Sequence, residues 1–250
     1  MMIGKKFYIY SHGERVFDYA CEVAKELGDI KRIVLVVRSR QDTDLIGNII
    51  PNIDIDRLFS GYKSSENDFL IKIETIKTYT GSSANRDILI CCDLDSNDVY
   101  KLEDLFGIKA IIAMTSSEEN IQEWIKTRNV INIETKEQEF IEEPSDIAKI
   151  ALEELINGIN ISTGLRQPSG IKKAKVILKV LSEYELELDP MVLEAYLANS
   201  LNCPTKHSRE IKDLYIELKG MKVMKGLVKD EIIEIYKSWK DTLKYRTKTN

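Results

Sequence analysis

The stretch Asp87-Ile88-Leu89-Ile90-Cys91-Cys92-Asp93-Leu94-Asp95-Ser96-Asn97-Asp98 decides the fold. Its apolar residues follow one another without polar alternation, so an extended backbone here needs cover on both faces. That is the condition of a parallel strand inside a sheet clad by helices on each side. The Asp- and Ser-rich run after it has the chemistry of a helix N-terminus, and Val99–Phe106 carries the helical spacing that should follow. The same sequence of strand, polar turn and helix recurs at Ala110–Met114, followed by the capping cluster Thr115-Ser116-Ser117-Glu118-Glu119 and a helix over Glu118–Thr127. Ile33–Val37 is a second run apolar on both sides. Ahead of it, the strand Lys6–Tyr10 leads into Val16, Tyr19, Ala20, Val23, Ala24 and Leu27, one buried helical face closed by Gly28. A weaker strand over Arg57–Ser60, a helix over Glu66–Tyr79, a last strand over Asn129–Ile133 and a helix over Asp146–Ile156 complete the series. Strand and helix in alternation predict an α/β fold with a doubly wound, mostly parallel, Rossmann-like sheet.

Beyond Gly158–Gly170, a connector containing Gly164, Pro168 and Ser169, the strands disappear. Ile171, Ala174, Ile177, Leu178 and Leu181 form one helical stripe. Asp189-Pro190 opens a helix to Leu201, with Pro at the first helical position. Two further helices carry Ile211, Leu214, Tyr215 and Leu218, then Ile232, Ile235, Tyr236, Trp239 and Leu243. The expected organisation is a sheet domain over 1–160 and a small helical bundle over 161–250. Charge follows the same division. The chain of 250 residues has a net charge of -5, made of -10 on 1–160 and +5 on 161–250.

The longest branched-aliphatic run, Ile33–Val37, is far below the roughly 20 residues that span a bilayer. The first residues lack the apolar core and cleavage site of a secretory leader. Cys21, Cys91, Cys92 and Cys203 offer no C-x-x-C spacing, which favours reduced buried thiols over disulfides or zinc. These features place the protein in the cytoplasm.

In a doubly wound sheet, ligands gather beyond the carboxyl ends of the strands, where helix N-termini present backbone N–H groups. The first strand ends in Ser11-His12-Gly13-Glu14-Arg15. Of a dinucleotide fingerprint only Gly13 is present, Ser11 and Val16 standing at the other glycine positions; an ordinary capped turn is the plainer alternative. The second strand ends in Arg38-Ser39-Arg40, cations that suit a phosphate or a solvated surface. Cys92 and Asp93 close the strand quoted above, and Asp93 with Asp95 has the D-x-D pattern that holds magnesium through oxygen in phosphotransfer folds. Helix capping accounts for the same letters. Thr115 ends the next strand and can touch a ligand. Of the two histidines, His12 lies at this edge and His207 in a polar turn before a helix; no Ser/His/Asp order, H-E-x-x-H or P-loop is present.

The stretch Arg86–Glu134 resembles the second half of a TrkA-N type domain, the RCK domain that regulates potassium conductance. The matching features are the Asp-led strand Asp87–Cys92 with Asp93, Asp95 and Asp98, then Gly107-Ile108-Lys109-Ala110-Ile111-Ile112-Ala113, and the short strand Val130–Ile133. The likeness extends loosely over about residues 5–156. It implies a nucleotide ligand such as NAD(P), and pairing into a homodimer. The sequence departs from that family in its eroded glycine fingerprint, in Arg38 where an acid is usual, in Gly61-Tyr62 where Gly-Asp is usual, and in the helices that stand where the family has a βαβ-rich module.

The leading expectation is a regulatory, non-catalytic nucleotide-binding protein, its ligand held by Ser11, His12, Gly13, Glu14, Arg38, Ser39, Cys92, Asp93 and Thr115, with a helical domain that engages a partner. One alternative is a nucleic-acid-associated protein using Lys172, Lys173, Lys175, Lys179, Lys206, Arg209, Lys212 and Lys222, with a helix-turn-helix-like segment at 171–219. Another is a magnesium-dependent phosphotransfer enzyme in which Asp93 and Asp95 hold the metal and His12 or Glu14 assists. A scaffold without any cofactor is the fourth.

Overall fold

A computed structural model of the chain describes residues 4–13, 15–63, 69–159, 164–221 and 229–249. They divide into two compact units, 1–140 and 141–250.

The first unit is an α/β sheet of seven strands. In chain order its elements are β1 (Lys5–Tyr10), α1 (Val16–Leu27), β2 (Arg32–Val37), α2 (Ile46–Ile49), α3 (Ile55–Ser60), β3 (Tyr62–Lys63), β4 (Leu70–Thr75), β5 (Asp87–Cys92), α4 (Ser96–Glu103), β6 (Ile108–Thr115), α5 (Glu118–Thr127) and β7 (Ile131–Asn132). In space the strands lie in the order β3-β4-β2-β5-β6-β1-β7, all parallel but β3. The central β2 and β5 are buried along nearly their whole length because their side chains feed two cores. On one face Ile33, Leu35, Ile88 and Ile90 meet Val16, Ala20 and Val23 of α1 and Ile46, Ile49 and Leu58 of α2 and α3. On the other, Val34, Val36, Leu89 and Cys91 meet Val99 and Leu102 of α4 and Ile121, Trp124 and Ile125 of α5. Helices therefore cover both faces.

Two local expectations are corrected. Arg57–Ser60 belongs to helix α3, started by Asp54, whose side chain accepts from the Asp56 N–H. Glu66–Tyr79, read as a helix, contains strand β4. Leu70-Ile71-Lys72-Ile73-Glu74-Thr75 alternates inward and outward, and this period of two, with β-branched residues, outweighs the helical propensity of Lys and Glu; residues 64–68 lie outside the described set.

Two carboxylates with buried side chains are paired in this unit. Asp87, fully buried, accepts two bonds from Arg32 at 2.8 and 2.5 Å and one from the Tyr79 hydroxyl at 2.9 Å. Glu103 accepts from Lys6 at 2.7 Å, from Arg128 at 3.0 Å and from the Trp124 indole at 2.8 Å. Burial lowers the Lys6 ammonium from its ordinary range, an effect Glu103 opposes.

The second unit is helical: α6 (Asp146–Gly158), α7 (Pro168–Tyr184), α8 (Pro190–Asn199), α9 (Thr205–Lys219) and α10 (Lys229–Thr249), with a short 3-10 turn at Gly164–Arg166. Its core joins Leu152 and Leu155 of α6 to Ile177 and Leu181 of α7, Leu193 and Leu197 of α8, Ile211 and Tyr215 of α9 and Trp239 of α10. Trp239 donates to Glu154 at 2.9 Å. Helix α8 is apolar nearly all round and its one charge, Glu194, is fully buried against Lys212 at 2.7 Å.

The boundary expected near 160 therefore moves to 140/141. Helix α6 presents Ile150, Leu152, Leu155 and Ile156 to the helical core. The shift also changes the charges, because α6 and the residues before it are acidic. Residues 1–140 hold 18 Lys+Arg against 24 Asp+Glu, and 141–250 hold 18 against 17. The helical unit is nearly neutral.

Four large side chains of α6, at about 1.5–3 kcal/mol each when buried, approach the whole stability of an ordinary domain at about 5–15 kcal/mol. Residues 141–250 expressed alone are expected to give a helical circular dichroism spectrum and a cooperative thermal transition, and residues 161–250 neither; equal behaviour of the two fragments would refute the assignment of α6.

Candidate functional site

The strand order fixes which predicted residues meet. Ranked in chain order, the six parallel strands lie 3-2-4-5-1-6, whereas the dinucleotide-binding arrangement is 3-2-1-4-5-6. Strand β1 sits between β6 and β7, with Tyr10 opposite Thr115 and Phe7 opposite Ile131. β5 and β6 therefore intervene between the ends of β1 and β2, a gap of three strand spacings, about 14 Å. The residues expected to share one ligand fall into two groups.

The first group lies beyond β2 and β5. Arg38 donates from Nε to Asp98 at 3.1 Å and from Nη2 to Asp95 at 2.9 Å, and Lys101 holds the other oxygen of Asp98 at 2.7 Å. Asp95 is the N-cap of α4, its second oxygen accepting the Asp98 N–H at 3.0 Å. Ser39 is turned to its own loop, donating to Asp42 at 2.8 Å. Cations and carboxylates here satisfy one another, and the first turn of α4 is closed by a side chain. Asp95 is thus engaged as cap and ion-pair partner; no group of three or more His, Cys, Asp or Glu positioned to hold a metal ion occurs among the described residues.

The second group lies beyond β5, β6 and β1. Thr115, fully buried, donates to Asp93 at 2.9 Å and accepts from the Ser117 N–H at 3.1 Å and the Asn120 amide at 3.3 Å. Asp93 adopts a left-handed conformation (φ 50°) that leaves its carboxylate at the surface. The Ser11 N–H donates to the Thr115 carbonyl at 3.1 Å, and the Ser11 hydroxyl accepts from the Gly13 N–H at 3.0 Å. Gly13 has φ 116°, and a Cβ there would lie 2.8 Å from that of Asn48. Its missing side chain thus admits α2, whose Asn48 donates to the His12 carbonyl at 3.0 Å. The His12 side chain is exposed. Glu14 lies outside the described residues.

Helix α1 begins with Arg15 at φ 62° and no side-chain cap. Two cations reach its first turns: the Arg15 guanidinium stands 5.0 Å from the Tyr19 ring centre, and Lys136, from the turn after β7, 5.7 Å. Neither forms an ion pair with a described carboxylate. Helix α5 also lacks a side-chain cap; Glu118 and Glu119 supply negative charge to its first turn, as Asp18 does to the first turn of α1. Arg15, Tyr19 and Lys136 were not legible as a site. Residues 15 and 136 come together only because β7 lies beside β1.

Cys92 closes β5 with its thiol in the apolar core, where burial pushes it well above the ordinary range, as it does Cys91. The half-buried Cys21 of α1 is pushed up to about 11, mainly by burial and further by Asp18.

In the helical unit, several cations expected to form a nucleic-acid surface serve the fold. Lys179, 4% exposed, donates to the Met221 and Leu218 carbonyls at the end of α9. Lys212 is held by Glu194 and Lys173 lies 3.7 Å from Glu154. His207 is buried beside Glu210 at 3.1 Å, its ring filling the space over Gly164. Lys222 lies outside the described residues. No described helix is long and apolar enough to cross a membrane.

Residues 144–240 match the family model described as "Domain of unknown function (DUF1889)". The match runs from just before α6 into α10, and so includes α6 with the helical unit. No curated protein and no solved structure matches the chain.

Replacing Asp95 with Ala removes a cap worth about 1 kcal/mol and should lower the sheet unit's Tm by about 2–4 °C; Asp95→Asn keeps the acceptor and should recover most of the loss. A thiolate is the reacting form, so raised thiol pKa values slow alkylation near neutrality. Iodoacetamide at pH 8 should modify native Cys21 slowly, faster as pH rises toward about 11, and reach Cys91 and Cys92 only after unfolding. Rapid native labelling of Cys92 would contradict its placement in the core.

Proposed function

We propose that the sheet unit is a regulatory module that binds a compact phosphate-bearing ligand, a nucleotide, where β1 turns into α1, and that the helical unit engages its partner. The observation that carries this reading is the first turn of α1. It has no side-chain cap, and Arg15 and Lys136 stand beside it without an ion-pair partner among the described residues. Open helix N–H groups and two nearby cations suit a phosphate. By contrast, the first turn of α4 already holds Asp95, and Arg38 is committed to Asp95 and Asp98.

On the adjoining strand ends, the Asp93 carboxylate is an acceptor suited to sugar hydroxyls, with Thr115 fixing one of its oxygens. A mononucleotide fits this arrangement better than NAD(P), which would have to reach from β1 to β2 across two strands. The reading is of binding and not of turnover.

The test is thermal shift with AMP, ATP, NAD+ and NADP+. A ligand at 100 times its Kd adds about 2.7 kcal/mol, an upward shift of about 5–11 °C for a chain of this size. Arg15→Glu, at an exposed position, should remove the shift while leaving the unliganded Tm within about 2 °C. Absence of any shift, or an undiminished shift in Arg15→Glu, would reject the site.

A further inference from the structure

The edge of the sheet opposite the nucleotide site contains an open depression of about 330 Å³. Four segments distant in sequence build it: the start of β1, the loop between α1 and β2, the residue before β5, and the start of β6. Gly4 makes the wall tight, since a Cβ there would lie 2.8 Å from the Lys109 carbonyl oxygen. Half-buried Leu27, Ile30 and Ile108 supply an aliphatic lining.

The charges on the rim do not cancel. Lys5 pairs with Glu26 at 3.1 Å and Arg86 pairs with Asp29, but Lys109 has no ion-pair partner among the described residues. An aliphatic lining beside one surplus cation suits a ligand with an apolar body and a single negative charge. The volume is at the small end for ligand sites, which run from about 300 to 1,000 Å³.

We propose that this depression is a binding site for a small amphiphilic monocarboxylate, with its carboxylate on Lys109 and its hydrocarbon body across Leu27, Ile30 and Ile108. The site is separate from the nucleotide reading and does not depend on it. The backbone joins the two directly: β1 begins at Lys5 in this depression and ends at Tyr10 beside Ser11, and β6 begins at Ile108 and ends at Thr115.

Octanoate is the probe, measured by isothermal titration calorimetry on the full chain. It should bind with one site per chain, and Lys109→Glu should weaken it about tenfold, the effect of turning one exposed attraction into a repulsion. Inorganic phosphate, which lacks the apolar body, should bind at least about tenfold more weakly than octanoate, and octanol, which lacks the charge, about threefold more weakly. Ile30→Asp should weaken octanoate as well, with circular dichroism showing both variants folded. No saturable octanoate binding, or binding unchanged in folded Lys109→Glu, would overturn the proposal; so would phosphate binding as tightly as octanoate.

Discussion

The seating of β1 between β6 and β7 is the constraint on which the sheet unit depends. Lys5–Tyr10 pairs with residues 110–115 and 131–132, so the first strand of the chain cannot be placed until the last strands of the unit exist. Loop closure over such separations is entropically expensive and is offset only when the apolar faces are covered. The burial of Phe7, Tyr8 and Ile9 supplies that return. Because β1 lies beside β6 and not β2, the turn at Ser11–Gly13 faces Thr115 and Asp93, while Arg38 faces Asp95 and Asp98.

Helix capping then separates the two regions chemically. At the end of β5 the chain provides Asp95 to cap α4 and Arg38 to balance Asp95, so polar groups there are mutually satisfied. At the end of β1 the chain provides Arg15 where a capping side chain would stand. A cation at a helix N-terminus opposes the macrodipole, and an anion beside it would remove that conflict. The same local disagreement between residue and position is what makes this turn a candidate for binding, since functional sites are where local rules yield.

Much of this was legible in the sequence, and the failures have identifiable causes. Runs such as Ile33–Val37, Asp87–Cys92 and Ala110–Met114 are apolar at successive positions, and both their strand character and their double cover followed from that. Glu66–Tyr79 was misread because Lys72 and Glu74 are good helix formers, although their alternation with Ile71 and Ile73 marks the strand that formed. The ends of β1, β2, β5 and β6 were located to within a residue, but lateral order is not written in any local pattern. Hence Ser11, Gly13 and Arg38 were assigned to one ligand though two strands separate them. The pairing of Lys136 with Tyr19 was invisible for the same reason.

The helical unit teaches a complementary lesson about charge. Its apparent basicity came from cutting the chain after α6, which left that helix's carboxylates on the wrong side of the boundary. With α6 included, the cations are nearly matched in number, and the buried ones have structural duties: Lys179 terminates α9 and Lys212 neutralises Glu194 on α8. A buried pair of this kind adds little net stability over apolar side chains, but losing either partner would strand a charge. Glu194 and Lys212 therefore fix how α8 lies on α9. The family match spans α6 through most of α10, the same helices that share the core of this unit. With 18 Lys+Arg against 17 Asp+Glu over residues 141–250, the net charge of the bundle offers no general attraction for a polyanion.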